Sequence, residues 1–176
     1  MNSQERGASI PRPRVRWSPP PEDCFKVNFD VAYCEESGFA GIGVVCRDNS
    51  GLAIAALRQN LGQVQSAEIA EALAARRVVV FAREMSLFHI IVEGDCLSVI
   101  QALLSNGPCP LMFGHIIDET KRLGNVLRSC VFQHVGQDGN RLTHNLAKKA
   151  VLSTDLKFWV EDLPEDVDVV FQSDLP

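Results

Sequence analysis

Three acidic residues, Asp30, Glu71 and Asp95, stand where a carboxylate is out of place. Asp30 follows Phe29 inside the alternating run Lys26-Val27-Asn28-Phe29-Asp30-Val31-Ala32-Tyr33. Glu71 falls on the Ala-rich side of AEIAEALAARRVVVFARE, residues 67–84, the side that must pack against other elements. Asp95 ends the apolar run Phe88-His89-Ile90-Ile91-Val92-Glu93-Gly94-Asp95. A carboxylate on a packing face is costly to bury unless it is paired or holds a cation. No Lys or Arg stands at a matching position, so three converging acids point to a divalent metal. All-oxygen ligation suits Mg²⁺ or Mn²⁺ rather than zinc. Each acid also has a plainer reading. Asp30 reads equally as a strand end, Glu71 as a solvated helix residue paired one turn on, and Asp95 as the cap of a following helix. Glu68, three residues before Glu71 on a similar face, competes for the same role. What singles out the three is their order within one small domain: strand Asp, helix Glu, strand-end Asp.

The surrounding pattern supplies elements to position them. Residues 26–33 alternate polar and apolar as a half-buried strand does, and 42–46 and 52–57 read as two more strands. Asp48-Asn49-Ser50-Gly51 is a hairpin turn between the latter two, so the three form an antiparallel meander. The period then changes. Ser66 is a plausible N-cap for a helix over 67–84. Residues 88–95 form a buried strand and 96–104 a short helix stopped at Asn106-Gly107-Pro108. A helix over 115–127, a strand over 128–134 and a helix over 140–153 follow, and a coda, 158–174, packs back on the domain. The order is β-β-β-α-β-α-α-β-α: a hairpin-built edge continued by crossover units.

The chain has 176 residues, enough for one domain with a sizeable core, and is 46% hydrophobic and 22% charged. Residues 1–22 are polar and Pro-rich and read as a flexible segment, 23–155 as the domain, and 156–176 as an extension packing on or trailing it. The net charge of −5 argues against non-specific binding of nucleic acid by bulk electrostatics, though not against a local basic groove or a metal-bridged phosphate. Six scattered cysteines, without a C-x-x-C pair or His at zinc-finger spacing, read as reduced thiols in a small apolar role. No stretch approaches ~18 apolar residues and the N-terminus lacks a signal-peptide core, so a soluble intracellular protein without membrane partners is expected.

Several ordered motifs together resemble the type 1 ribonuclease H family, in particular the ribonuclease H-like domains of plant genomes derived from non-LTR retrotransposon reverse transcriptases. They are Trp17-Ser18-Pro19-Pro20-Pro21, Lys26-Val27-Asn28-Phe29-Asp30, 40–48, Ala70-Glu71-Ala72-Leu73-Ala74, Val92-Glu93-Gly94-Asp95, 139–147, and 158–164. The resemblance implies an α/β ribonuclease H-like fold, a five-stranded mixed sheet of an antiparallel meander plus parallel strands, flanked by helices. It implies Mg²⁺- or Mn²⁺-dependent hydrolysis, with two ions, of the RNA strand of an RNA–DNA hybrid. Asp30, Glu71 and Asp95 would be three of four metal-binding carboxylates, and the family's spacing picks Glu71 over Glu68. His134 matches a catalytic-loop His that assists proton transfer or product release. Asn140 and Arg141 fall in a motif expected to touch nucleic acid.

The chain departs from the family at two places. His144 stands where the fourth carboxylate belongs, a poor match for Mg²⁺ though able to bind Mn²⁺ or simply pack. Val31 replaces the usual Gly after the first Asp. Nor is there a basic handle helix. The leading expectation is a nuclease with a supporting role for His144. The rival is a module that kept the fold and binds nucleic acid or protein with weakened or no turnover.

Overall fold

The computed structural model describes residues 17–174; the expectation for residues 1–16 lies outside the described residues. Strands β1 (Phe25–Tyr33), β2 (Phe39–Arg47) and β3 (Ala53–Gln63) form the meander, followed by α1 (Ala67–Glu84), β4 (His89–Gly94), α2 (Leu97–Leu104), α3 (Gly114–Gly124) and β5 (Ser129–His134). A 3-10 turn (Gln137–Asn140) leads into α4 (Arg141–Val151), and β6 (Lys157–Val160) and α5 (Glu165–Asp174) close the order. The sheet runs β5-β4-β1-β2-β3-β6. β2 pairs antiparallel with β1 and β3, while β4 pairs parallel with β1 and β5.

Local chemistry explains the boundaries. Asp48 Oδ1 accepts from the backbone N–H of Ser50 and Leu52 (both 2.9 Å), and Gly51 takes φ +86°, so the β2–β3 hairpin turns where polar residues cluster. The Ser66 side chain caps α1 by accepting from the Ile69 N–H (3.2 Å). Buried Ala70, Ala72, Ala74 and Ala75 let α1 lie close to the sheet over Val27, Phe29 and Val92. With α2 and α3 this side forms the larger core. On the other side α4 packs Leu142 and Leu146 against Val45 and Ala56, joined by Val167 and Phe171 of α5. There α4 lies directly on β2: a Cβ on Gly41 would sit 2.6 Å from the Ala147 carbonyl, and one on Gly43 would collide with the Thr143 carbonyl.

Three expectations are corrected. The sheet has six strands, because Lys157–Val160 pairs antiparallel with Ala55–Arg58 of β3. Four residues without alternation or a turn signal carry no sequence mark of a strand, and the ladder comes from a neighbour 100 residues away in the chain. β3 runs past residue 57 to Gln63, its polar end paired with β2 from Gly43 back to Phe39. Finally, β1 is not half-buried: Lys26, Asn28 and Asp30 are as buried as Val27 and Phe29, because Trp17 and α4 cover the second face. Among the described residues, Trp17 is already buried on this side. All six cysteines are free thiols. Among the described residues no helix is long and apolar enough to cross a membrane.

Candidate metal centre

The parallel pairing of β1 with β4 ends at Asn28 and Glu93, so Asp30 and Asp95 follow just past the last pair, and α1 brings Glu71 to the same place. One carboxylate oxygen from each of the three lies within 4.8 Å of the others. Glu68, the competing acid, lies outside this cluster; its Oε1 accepts from the Ser98 hydroxyl at 3.4 Å.

The electrostatics of this cluster are unbalanced. Burial, then the Asp30 and Asp95 charges, push Glu71 up to about 9. Burial and the Asp95 charge push Asp30 up to about 6, against the opposing pull of hydrogen bonds from the Val31 N–H (2.8 Å) and His144. Burial raises Asp95 as well. Glu71 Oε2 is buried with no hydrogen-bond partner. A buried carboxylate oxygen without a donor is costly, and three carboxylates this close together are stable as anions only around a cation. The set fits a divalent ion: all donors are oxygens, they converge from three elements, and one oxygen is orphaned and aimed inward.

The two histidines reach the same place from α4 and β5. His144 Nδ1 hydrogen-bonds Asp30 Oδ2 at 2.6 Å, and its ring is about half exposed. Gly43, the register partner of Asp30, makes this possible, because only a residue without Cβ lets the α4 backbone come so close to β2. His134, at the end of β5, is exposed, and its Nε2–H donates to the Asp95 carbonyl at 3.0 Å. Asn140, expected at the nucleic-acid face, is instead buried: its amide donates to the Phe29 carbonyl (2.6 Å), and its Oδ1 accepts from the Thr143 hydroxyl (2.7 Å). It pins the start of α4 to β1 one residue from Asp30. Arg141 is exposed and lines a cleft of about 360 Å³ together with Asp30, Asp95, Gln137, Asp138, His144 and Asn145. The position of Gln137 and Asp138 on the cleft wall is not legible in the sequence, because they sit in a short polar turn that leads into α4.

The comparisons agree with this architecture. The model of the reverse transcriptase-like family matches residues 28–150. No curated protein sequence matches the chain. Among solved structures, the chain is similar to the RNase H1 of the halophilic archaeon Halobacterium salinarum NRC-1 (TM-score 0.68, 20% identity, 73% of this chain and 97% of that one). It is similar to LC11-RNase H1 in complex with an RNA/DNA hybrid (TM-score 0.64, 19% identity, 73% and 99%). The N-terminal RNase H domain of a Mycobacterium tuberculosis protein also matches (TM-score 0.64, 18% identity, 74% and 95%). At these identities the likeness is one of fold. By its sequence over 123 consecutive residues and by its fold, the chain belongs to the reverse transcriptase-like family and is an RNase H type 1-like domain.

Proposed function

We propose that the protein is a metal-dependent endonuclease that hydrolyses the RNA strand of RNA–DNA hybrids. The observation that carries this reading is the Asp30–Glu71–Asp95 cluster, within 4.8 Å and without a compensating partner on one Glu71 oxygen, with Asp30 and Asp95 lining an open cleft. The three carboxylates would hold Mg²⁺ or Mn²⁺. Bound there, such ions would supply activation of a water and stabilisation of the leaving 3′-oxygen in an in-line phosphoryl displacement. Asp30 is central to the arrangement, since it touches both the acid cluster and His144. Arg141, exposed on the cleft wall, offers a guanidinium to a phosphate of the hybrid. His134 is solvent-exposed beside Asp95 and is placed to carry a proton to the departing strand. Discrimination for RNA follows from contacts to the 2′-hydroxyl across the shallow minor groove.

A specific observation supports a second reading. The His144 imidazole bonds Asp30 where the family resemblance implies a fourth acid, so the site has one negative charge fewer and favours Mn²⁺ over Mg²⁺. Taken further, it gives a domain that binds hybrid and turns it over slowly or not at all. Cleavage of a labelled RNA–DNA hybrid in Mg²⁺ and then in Mn²⁺, with Asp30→Asn alongside, separates the two. RNA-strand cutting that vanishes in the variant supports the nuclease. A folded protein that binds hybrid without cutting in either metal supports the binding module.

A further inference from the structure

The sheet face that carries Asp30 also carries a second set of polar side chains, which the proposed chemistry does not use. Lys26 and Asn28 precede Asp30 on the same side of β1, and Glu93 precedes Asp95 on the same side of β4. Lys26 Nζ pairs with Glu93 Oε1 at 2.9 Å, both side chains at most 10% exposed, and donates to the Ser18 carbonyl at 2.7 Å. The Asn28 amide donates to Glu93 Oε2 at 2.9 Å, and the Trp17 indole N–H donates to Asn28 Oδ1 at 3.1 Å. The Trp17 ring lies 4.6 Å from the Arg47 guanidinium, which meets the Phe171 ring at 5.1 Å.

A buried ion pair adds little net stability, because desolvation offsets the attraction; what it fixes is geometry. Its place here is informative. Asn28 faces Glu93 at the last parallel pair between β1 and β4. The next residues on that face are Asp30 and Asp95, where the strands part to open the cleft.

We propose that Trp17, Lys26, Asn28 and Glu93 are positioning residues of the metal centre: their network locks β1 against β4 where pairing ends, and so sets the separation of the Asp30 and Asp95 carboxylates. None of the four touches the cation. The inference rests on the metal-centre reading. It also gives the Trp17-Ser18 segment a task, since the indole closes the network and the Ser18 carbonyl receives the lysine.

The test is Mn²⁺ affinity of the full 176-residue chain by isothermal titration calorimetry, with thermal melts of the metal-free samples. Trp17→Phe keeps a ring on Arg47 and removes only the indole donor. Lys26→Met with Glu93→Gln removes both charges and keeps an acceptor for Asn28. Ile117→Val, in the α3 layer of the opposite core, serves as the control for lowered stability alone. Removing a group bonded directly to a ligand typically weakens metal binding about 10–100-fold, so indirect partners should weaken it about 3–10-fold. The expected result is that loss in both network variants, with no loss in Ile117→Val even where its melting temperature falls further. Unchanged affinity in both network variants, with wild type binding normally, overturns the inference and leaves the metal centre standing. Absence of Mn²⁺ binding in wild type itself overturns the metal-centre reading and this inference with it.

Discussion

Strands β1 and β4 carry two polar clusters, one behind the other along the line where they pair and then part. In the first, Lys26 and Glu93 balance each other's charge, Asn28 gives and receives a hydrogen bond, and Trp17 closes the set. In the second, Asp30, Glu71 and Asp95 bring three acids together, and one Glu71 oxygen has no partner. There, burial and the neighbouring acids push Asp30 and Glu71 well above the ordinary carboxylate range. The difference separates two uses of buried polarity. A balanced, fully bonded cluster holds its own geometry, whereas an unbalanced one is complete only with a ligand of opposite charge.

The largest effect should come from the unbalanced cluster. Asp95→Asn removes an oxygen donor common to the proposed cation site, and hybrid cleavage should fall at least about 100–1,000-fold, as for loss of a principal electrostatic group. Rates within a few-fold of wild type, measured on a labelled hybrid in Mn²⁺, would remove Asp95 from the site. Next, Lys26→Met leaves Glu93 buried without its cation and should destabilise the fold by about 3–5 kcal/mol, roughly 10 °C in melting temperature. A change of only a degree or two in differential scanning calorimetry would mean that the two clusters do not differ as described.

The acid cluster makes the stability of the metal-free domain depend on pH. Native Asp30 and Glu71 hold protons that the unfolded chain releases, since their values lie at about 6 and about 9 instead of 3.8 and 4.5. Their stabilisation is full below about pH 4 and is lost as pH rises through about 6 and then towards 9, by up to about 1.4 kcal/mol per group and pH unit. The metal-free melting temperature should therefore drop between pH 5 and pH 8, and saturating Mn²⁺ should restore more of it at pH 8 than at pH 5. Glu71→Gln should flatten the metal-free slope. A slope as steep in Glu71→Gln as in wild type would place the titration elsewhere. The smallest effect concerns His144. Replacing it by Asp adds a hard oxygen donor beside Asp30 and should move the Mg²⁺-to-Mn²⁺ affinity ratio about tenfold towards Mg²⁺. An unchanged ratio would show that His144 does not reach the ion.

Much of the domain is legible in the chain. The α1 boundaries, its Ser66 cap and the Asp48–Gly51 turn follow from local rules, because each is decided by residues within a few positions of one another. The order strand Asp, helix Glu, strand-end Asp also marks the acids, since carboxylates on apolar faces are visible without coordinates. The strand β6 is not marked, because its ladder partner lies in β3. Asn140 is misleading for a similar reason: its residue type suits a contact with nucleic acid, and only the packing of α4 on Gly41 and Gly43 turns it inward to the Phe29 carbonyl.

What the sequence by itself determined is therefore the set of groups able to do chemistry and the local elements that bear them, because side-chain type, periodicity and capping act over short range. What only the tertiary structure decided is which polar residues are balanced and which are left wanting a ligand. Lys26, Asn28 and Asp30 share one alternating pattern in β1; their fates diverge because Glu93 and Trp17 meet the first two, while Glu71 and Asp95 meet the third. Charge compensation is a property of neighbours in space, and those neighbours lie 41 to 67 residues away for every partner but Trp17.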